Sequence, residues 1–298
     1  MSAEKKKLPF ESPLVPELLD GQHQIKFQCY KGIECYNACC KQADITLTPY
    51  DVIRMKTRLG LSSTDFLAKH TVPFEMDGDG LMGIKLKTTD DEPVCLFMND
   101  EGCSIYEDRP SACRYYPSGL MSMRAKDSPT DQRHFFVVKE DHCKGHGLGD
   151  GISVDEYREQ QGVIEYDEAN HPWYQIMLKK KSAGPAVGTP SPTSLQFFFM
   201  CSYDIDRFKR FIQAESFSKA YDVSPDEIQS MLDDELKLLD FSFRLMKQVL
   251  FGEHTIPTME GAAEKRAEER KEILEMRRQI EIEANKDKQD PYGWVDPE

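Results

Sequence analysis

The chain lacks a long hydrophobic run. Its longest apolar stretch, Leu195-Gln-Phe-Phe-Phe-Met-Cys201, falls far short of the roughly 20 residues a membrane helix needs, so no spanning segment is expected and the protein reads as soluble. The opening is positive through Lys5, Lys6 and Lys7, but Glu11, Ser12, Pro13 and Glu17 stand where a signal peptide would place its apolar stretch. A cytoplasmic location is therefore expected. Positive charge is also scarce. A net charge of -14 and a pI near 5.1 argue against nucleic-acid binding, which depends on neutralising phosphates. Lys179-Lys-Lys181 is the one compact basic cluster after the N-terminus and reads as solvated linker. No internal repeat is visible.

Several catalytic and cofactor patterns are missing too. Cys35-x3-Cys39 is followed at once by Cys40, which excludes the radical adenosylmethionine spacing C-x3-C-x2-C. Gly78-Asp-Gly80-Leu-Met-Gly83 lies before a strand, whereas a dinucleotide loop follows a strand and opens a helix, so it reads as a turn. No nucleophile, base and orienting group stand out together.

What the chain does have is cysteine. Eight of its nine cysteines fall between Cys29 and Cys143. Cytosolic thiols are kept reduced and nine is an odd number, so a disulfide framework is disfavoured. Thiolates this dense in a reduced compartment are ordinarily held by a soft metal. The order is Cys29-x5-Cys35-x3-Cys39-Cys40, then Cys95-x7-Cys103-x9-Cys113, then Cys143. Eight thiols make two sets of four, and four thiolates complete a tetrahedral zinc site or an iron–sulfur cluster. One site plus reactive thiols also fits. Side chains of adjacent residues diverge, so Cys39 and Cys40 more naturally serve two metals, or one metal and a free thiol, than one centre.

The middle block reads as a knuckle in which a strand delivers Cys95, a turn at Gly102 presents Cys103, and Pro110 starts a helical turn carrying Cys113. Arg109 and Arg114 either offset thiolate charge or pair at the surface with Glu107, Asp108 or Glu101. His142 and His146 flank Cys143 and read as solvent-facing rather than as ligands. Cys201, in its aromatic run, reads as core. Iron–sulfur is preferred to zinc, because every candidate ligand is sulfur and the surroundings are rich in aromatics and glycine.

The expected fold class is α+β, a small cysteine-rich metal-organised domain of short strands and helices followed by a mainly α-helical C-terminal region. The expected divisions are an irregular N-terminal arm over 1–24, a metal-binding domain over 25–150, and a mainly helical region over 151–257 with a linker near 181–193. A charged helical tail over 258–298 follows, too poor in sustained apolar heptads for a coiled coil. Thr48 caps a predicted helix with Pro49 in its first turn and Gly60 at its end. A second helix is expected from Ser63, with Phe66 and Leu67 inward. Extended segments are expected over 81–87, 93–98 and 133–139. Helices are expected around 154–158, over 204–214 and over 225–251.

Phe27-x-Cys29, Cys35-x3-Cys39-Cys40, Leu47-Thr48-Pro49-x-Asp51, the run from Gly102-Cys103 through Arg109-Pro110-x2-Cys113-Arg114 to Pro117, and Cys143-Lys-Gly145-x-Gly147 resemble the CxxCxxCC cysteine-cluster proteins, also called YkgJ-like. The likeness spans about residues 25–150. It implies a zinc- or iron-chelating domain and, as metal candidates, Cys29, Cys35, Cys39, Cys40, Cys95, Cys103, Cys113 and Cys143. The first block here has wider gaps than the family's C-x2-C-x2-C-C. The expected function is a cytoplasmic metal-binding protein holding an iron–sulfur cluster or zinc, in redox, sensing or metal handling. The alternative is a protein-modifying enzyme such as a lysine methyltransferase, since flagellin lysine methylases resemble the family in their cysteine motif. A protein partner at the acidic helical second half is a further expectation.

Overall fold

The computed structural model describes residues 19–262 apart from 42, 77–79, 124–131 and 183–189, together with scattered positions between 264 and 280. Most of the expected arm (1–18), the middle of the expected linker (183–189) and the tail beyond 280 lie outside the described residues.

The fold is α+β. Its strands form four two-stranded antiparallel ribbons: β1 (Gln24–Ile25) with β8 (Ile152–Ser153), β2 (Thr71–Glu75) with β3 (Met82–Leu86), β4 (Met98–Asn99) with β5 (Gly102–Cys103), and β6 (Ser118–Met123) with β7 (Gln132–Val137). Pairs this small are marginal alone and need a packed face beneath them. The expected strand over 93–98 is reduced to Met98–Asn99 and a bridge from Cys95 to Thr88, because the backbone turns between Cys95 and Met98 to present sulfur.

Two helices pack at the start of the fold. Helix α1 (Pro49–Leu59) opens on a reciprocal cap: Asp51 N–H donates to Thr48 Oγ1 at 3.3 Å, and Thr48 N–H donates to Asp51 Oδ2 at 2.8 Å. Pro49 occupies the first turn and Gly60 ends the helix at φ 63°, where a Cβ would be strained. Helix α2 (Ser63–His70) follows, with Phe66 fully buried and Leu67 only half-buried. After the short helix α3 (Ser111–Tyr115) come α4 (Val154–Gln160), α5 (Ile164–Ser182), α6 (Pro192–Tyr203), α7 (Ile205–Ile212), α8 (Glu215–Ser218), α9 (Pro225–Asp233) and α10 (Glu235–Phe251). The single helix expected over 225–251 is broken at Asp234. Its extended backbone ends α9, and its carboxylate accepts from Leu236 N–H and Lys237 N–H to start α10.

Helix α10 is buried on nearly all sides through Leu238, Leu239, Phe241, Phe243, Leu245 and Met246, the pattern of a central helix. It packs on α5, α6, α7 and α9, while α1 rests on α5 and α6, so one apolar core runs through both halves. Cys201 lies wholly within it. The buried Lys56 ammonium of α1 meets Glu235 at 2.6 Å and Asp206 at 3.3 Å, joining the first helix to α10 and α7.

Asp51 does more than cap α1. It is fully buried, and it also accepts Ser111 N–H at 2.8 Å and the Ser111 hydroxyl at 3.0 Å. One carboxylate thus holds the N-terminal turns of α1 and of α3. Burial raises its pKa against the pull of these hydrogen bonds. We expect Asp51→Ala to leave three buried donors without an acceptor and to destabilise the fold by about 3–5 kcal/mol. Denaturant midpoints at unchanged slope check this, and a loss under about 1 kcal/mol would contradict it.

Candidate metal centre

The site is assembled by backbone pairing between three cysteine-bearing segments. Phe27 forms a bridge with His146, Gln28 N–H donates to the Gly145 carbonyl at 3.1 Å, and Gly147 N–H donates to the Lys26 carbonyl at 2.9 Å. Cys29 and Cys143 are thereby set side by side. Position 145 has to be glycine, since a Cβ there would come within 2.8 Å of the Gln28 carbonyl and of the Phe27 ring.

From Tyr30 the chain winds through successive tight turns, pinned by the buried Ile33 and passing Asn37 in the left-handed region at φ 64°. These turns deliver Cys35, Cys39 and Cys40. Cys95 N–H then donates to the Cys40 carbonyl at 2.9 Å, which fixes the second segment against the first. The β4–β5 hairpin docks on the same loop, with Tyr36 hydroxyl donating to the Glu101 carbonyl and Asn37 Nδ2 to the Asn99 carbonyl. Gly102, at φ 125°, admits the Tyr36 hydroxyl where a Cβ would sit only 2.6 Å away. Its role is to let the loop approach, not the sulfur. Pro110 caps α3, which carries Cys113 as the sequence predicts.

All nine cysteines are free thiols. Cys29 and Cys39 are exposed, the next six are half-buried, and only Cys201 is buried. The charges felt at each thiol show which sulfurs are neighbours. Burial raises Cys29, helped by Cys39, Cys35 and Cys143. Burial likewise raises Cys113, helped by Cys95, Cys39 and Cys103. The Cys40 thiol donates to the Cys39 sulfur, which brings Cys39 down to about 7 and keeps Cys40 protonated; Cys40 also senses Cys95 and Cys113. Among the described residues, no three His, Cys, Asp or Glu side chains stand at the tight spacing of a closed metal site. The thiols are electrostatic neighbours, arranged around Cys39 and Cys40.

The donor set suits a thiolate-seeking metal. Lys144 N–H donates to Cys35 Sγ at 3.2 Å, and nearby backbone N–H groups of Phe97 and Ile105 draw the Cys95 and Cys103 thiols down against burial. Amides aimed at sulfur stabilise the deprotonated ligand. Arg109 and Arg114 do not pair at the surface. They are 8% and 7% exposed, and their hydrogen bonds go to neutral acceptors: Arg109 to the Tyr106 carbonyl and Gln161 Oε1, Arg114 to the carbonyls of Arg109, Gln161 and Glu107. Asp108 is taken instead by Arg54, at 2.8 Å. Arg109 acts electrostatically on Cys103, drawing its pKa down against burial.

Two features escape sequence reasoning. Gln161, which serves both arginines, lies outside the cysteine motif in the turn after α4, and no local signal marks it. His146 is half-buried against the Phe27 ring, 5.4 Å between centroids, and its Nε2 is enclosed without a partner. It does not face solvent as expected, because the Phe27 pairing turns its ring inward.

His70 shows a related pattern at the edge of the site. Its ring lies 5.2 Å from that of Phe97, two residues after Cys95, and its Nδ1 is buried without a partner. Burial, with Lys69 adding, lowers its pKa from 6.5. A histidine held neutral contributes stability that is present above pH 6.5 and lost as pH falls below it, because only the unfolded chain then takes up the proton. The unfolding midpoint should drop between pH 7 and about 5.5, and His70→Phe should flatten part of that drop. An identical pH profile in the variant would rule His70 out as a contributor.

No curated protein and no solved structure matches the chain. A family model does match over the cysteine-bearing part. Residues 28–144, which span every thiol from Cys29 to Cys143, match CxxCxxCC, described as a putative zinc- or iron-chelating domain.

Proposed function

We propose that this protein holds two metal–thiolate centres and exchanges electrons or metal with other molecules through them, iron–sulfur being favoured over zinc. The first centre takes Cys29, Cys35, Cys39 and Cys143. The second takes Cys40, Cys95, Cys103 and Cys113. The observation that carries this reading is that Cys29 senses Cys35, Cys39 and Cys143, whereas Cys40 senses Cys95 and Cys113, and Cys113 senses Cys95 and Cys103; Cys39 is felt from both sides and stands where the two sets meet.

Three further features support it. The ligand set is all sulfur, which both metals accept, and amide donors at sulfur together with aromatic surroundings favour clusters. The buried Arg109, free of a carboxylate partner, supplies positive charge at Cys103, beside what would be an anionic centre. Finally, Cys29 and Cys39 are exposed and the other six clustered cysteines are half-buried, so part of the cluster is open to solvent. A centre that trades electrons or metal has to be reachable.

When bound, the metal would supply redox or Lewis-acid chemistry. The chain's own residues set its surroundings: the 30–40 turns orient three thiols, the hairpin presents Cys103, and α3 holds Cys113 through Ser111 and Asp51.

Protein isolated without oxygen should carry iron with inorganic sulfide and absorb visible light. Colourless protein with stoichiometric zinc and no sulfide would reverse the metal preference. Cys143→Ser and Cys95→Ser should each lower metal content by about half, because each leaves one complete set of four thiols. Complete metal loss from either single variant would replace two centres with one. Cys201→Ser should leave metal content unchanged and cost about 1–2 kcal/mol of stability, for a hydroxyl placed in an apolar core.

A further inference from the structure

Arg207 and Arg210 lie on the exposed side of α7 and line one cleft together with Thr193, Gln196, Phe197, Met200 and Phe211. The cleft has a volume of about 420 Å³ and is open to solvent. Its floor is apolar and aromatic, from α6 and from Phe211. Its cationic rim is unusual in this chain. Among the described residues neither guanidinium has a hydrogen-bond or ion-pair partner, in a protein of net charge -14. Their neighbours on the same helix are all engaged: Asp206 with Lys56 at 3.3 Å, and Lys209 with the Leu232 carbonyl. Two like charges one helical turn apart repel mildly, so the pair is best satisfied by an anion arriving from outside the helix. The cleft is too open to enclose a small molecule, which ordinarily buries most of its surface in its site. It suits a peptide that carries aromatic anchors between acidic residues.

The chain supplies such a segment. Residues 281–298 contain six acids and two lysines, and within them runs Asp290-Pro-Tyr-Gly-Trp-Val-Asp-Pro-Glu298, which holds one of only two tryptophans. The tail also leaves the body close by. Thr258 bridges Tyr221 and Met259 N–H donates to the Ala220 carbonyl at 3.2 Å. Tyr221 stacks on Phe217 at 4.8 Å, and Phe217 meets Phe211 of the cleft at 5.6 Å. The described positions between 262 and 280 are helical and rise only about 1.5 Å per residue, while residues 281–289 could span up to about 30 Å when extended, enough to return along that helix to the body.

We propose that the segment Asp290–Glu298 docks in the α6–α7 cleft of its own chain. Trp294 and Tyr292 occupy the apolar floor over Phe197, Met200 and Phe211, and Asp290, Asp296 and Glu298 meet Arg207 and Arg210. Burial of a tryptophan beside charge-assisted pairs is the usual composition of a peptide hot spot. The site stands whether or not the thiols bind metal.

Hydrogen exchange on the full chain tests this. A short peptide of this kind with a Kd of order 0.1 mM, tethered at an effective concentration of order 1 mM, is protected about tenfold. The amides of 290–298 should therefore exchange about tenfold more slowly than in a free peptide of the same sequence. Trp294→Ala should abolish the protection, as should R207E/R210E, and each should lower unfolding stability by no more than the about 1.4 kcal/mol to which a tenfold docking equilibrium converts, since both arginines are exposed and contribute nothing else to the core. Adding D290R/D296R/E298R to R207E/R210E should restore it. Free-peptide rates in the unaltered chain, or protection that survives R207E/R210E, would overturn the proposal. Protection that grows with protein concentration would overturn its intramolecular form by placing the segment on a second copy.

Discussion

The buried carboxylate of Asp51 ties the helix that carries Cys113 to the hydrophobic core. Helix starts leave N–H groups without partners, and two of these starts, those of α1 and α3, meet at the buried Asp51 and Ser111. Asp51 accepts from both, so the helix that belongs to the hydrophobic core and the short helix that carries Cys113 are fixed to a common point. The arrangement couples core packing to thiol placement. The other ties of α3, Arg114 to the Gln161 carbonyl and the Tyr115 hydroxyl to Asp167, leave from its far end and reach α4 and α5 rather than α1.

Charge is handled in a similarly indirect way. Burial disfavours ionisation at Cys29, Cys95 and Cys113, and the crowded thiols around them add to the effect. The opposing influences are short-range: amides aimed at sulfur, the thiol of Cys40 donating to Cys39, and the guanidinium of Arg109 near Cys103. Arg114 is held by three backbone carbonyls and lies over the Tyr166 ring at 4.4 Å. Its position is set by neutral dipoles and an aromatic face, which leaves its charge available to its surroundings. A carboxylate partner would cancel that charge.

Much of this was legible in the chain. The start and end of α1 follow from Thr48, Pro49 and Gly60, each with a local conformational preference, and the helical turn at Cys113 follows from Pro110. Such features depend on a few adjacent residues. The inward turn of His146 and the service of Gln161 to two arginines depend instead on contacts across long stretches of sequence, and periodicity carries no trace of them. Asp234 fell between these cases: as a helix-capping residue type it was visible, but the continuous apolar pattern on either side concealed the break. The Arg109 and Arg114 pairing was misdirected by nearby acids in sequence, which the fold assigns elsewhere, Asp108 to Arg54 and Glu101 to Lys31.

The placement of α10 has a consequence for the order of events during synthesis. This helix, formed from residues 235–251, is the element on which α5, α6, α7 and α9 converge, and α1 rests on two of those four. All eight clustered cysteines precede it in the chain by more than 90 residues. On a ribosome they emerge before the core that supports them exists, as a flexible run of thiols open to any soft cation or oxidant nearby. The lifetime of that unsupported state is set by how long the ribosome takes to reach Phe251.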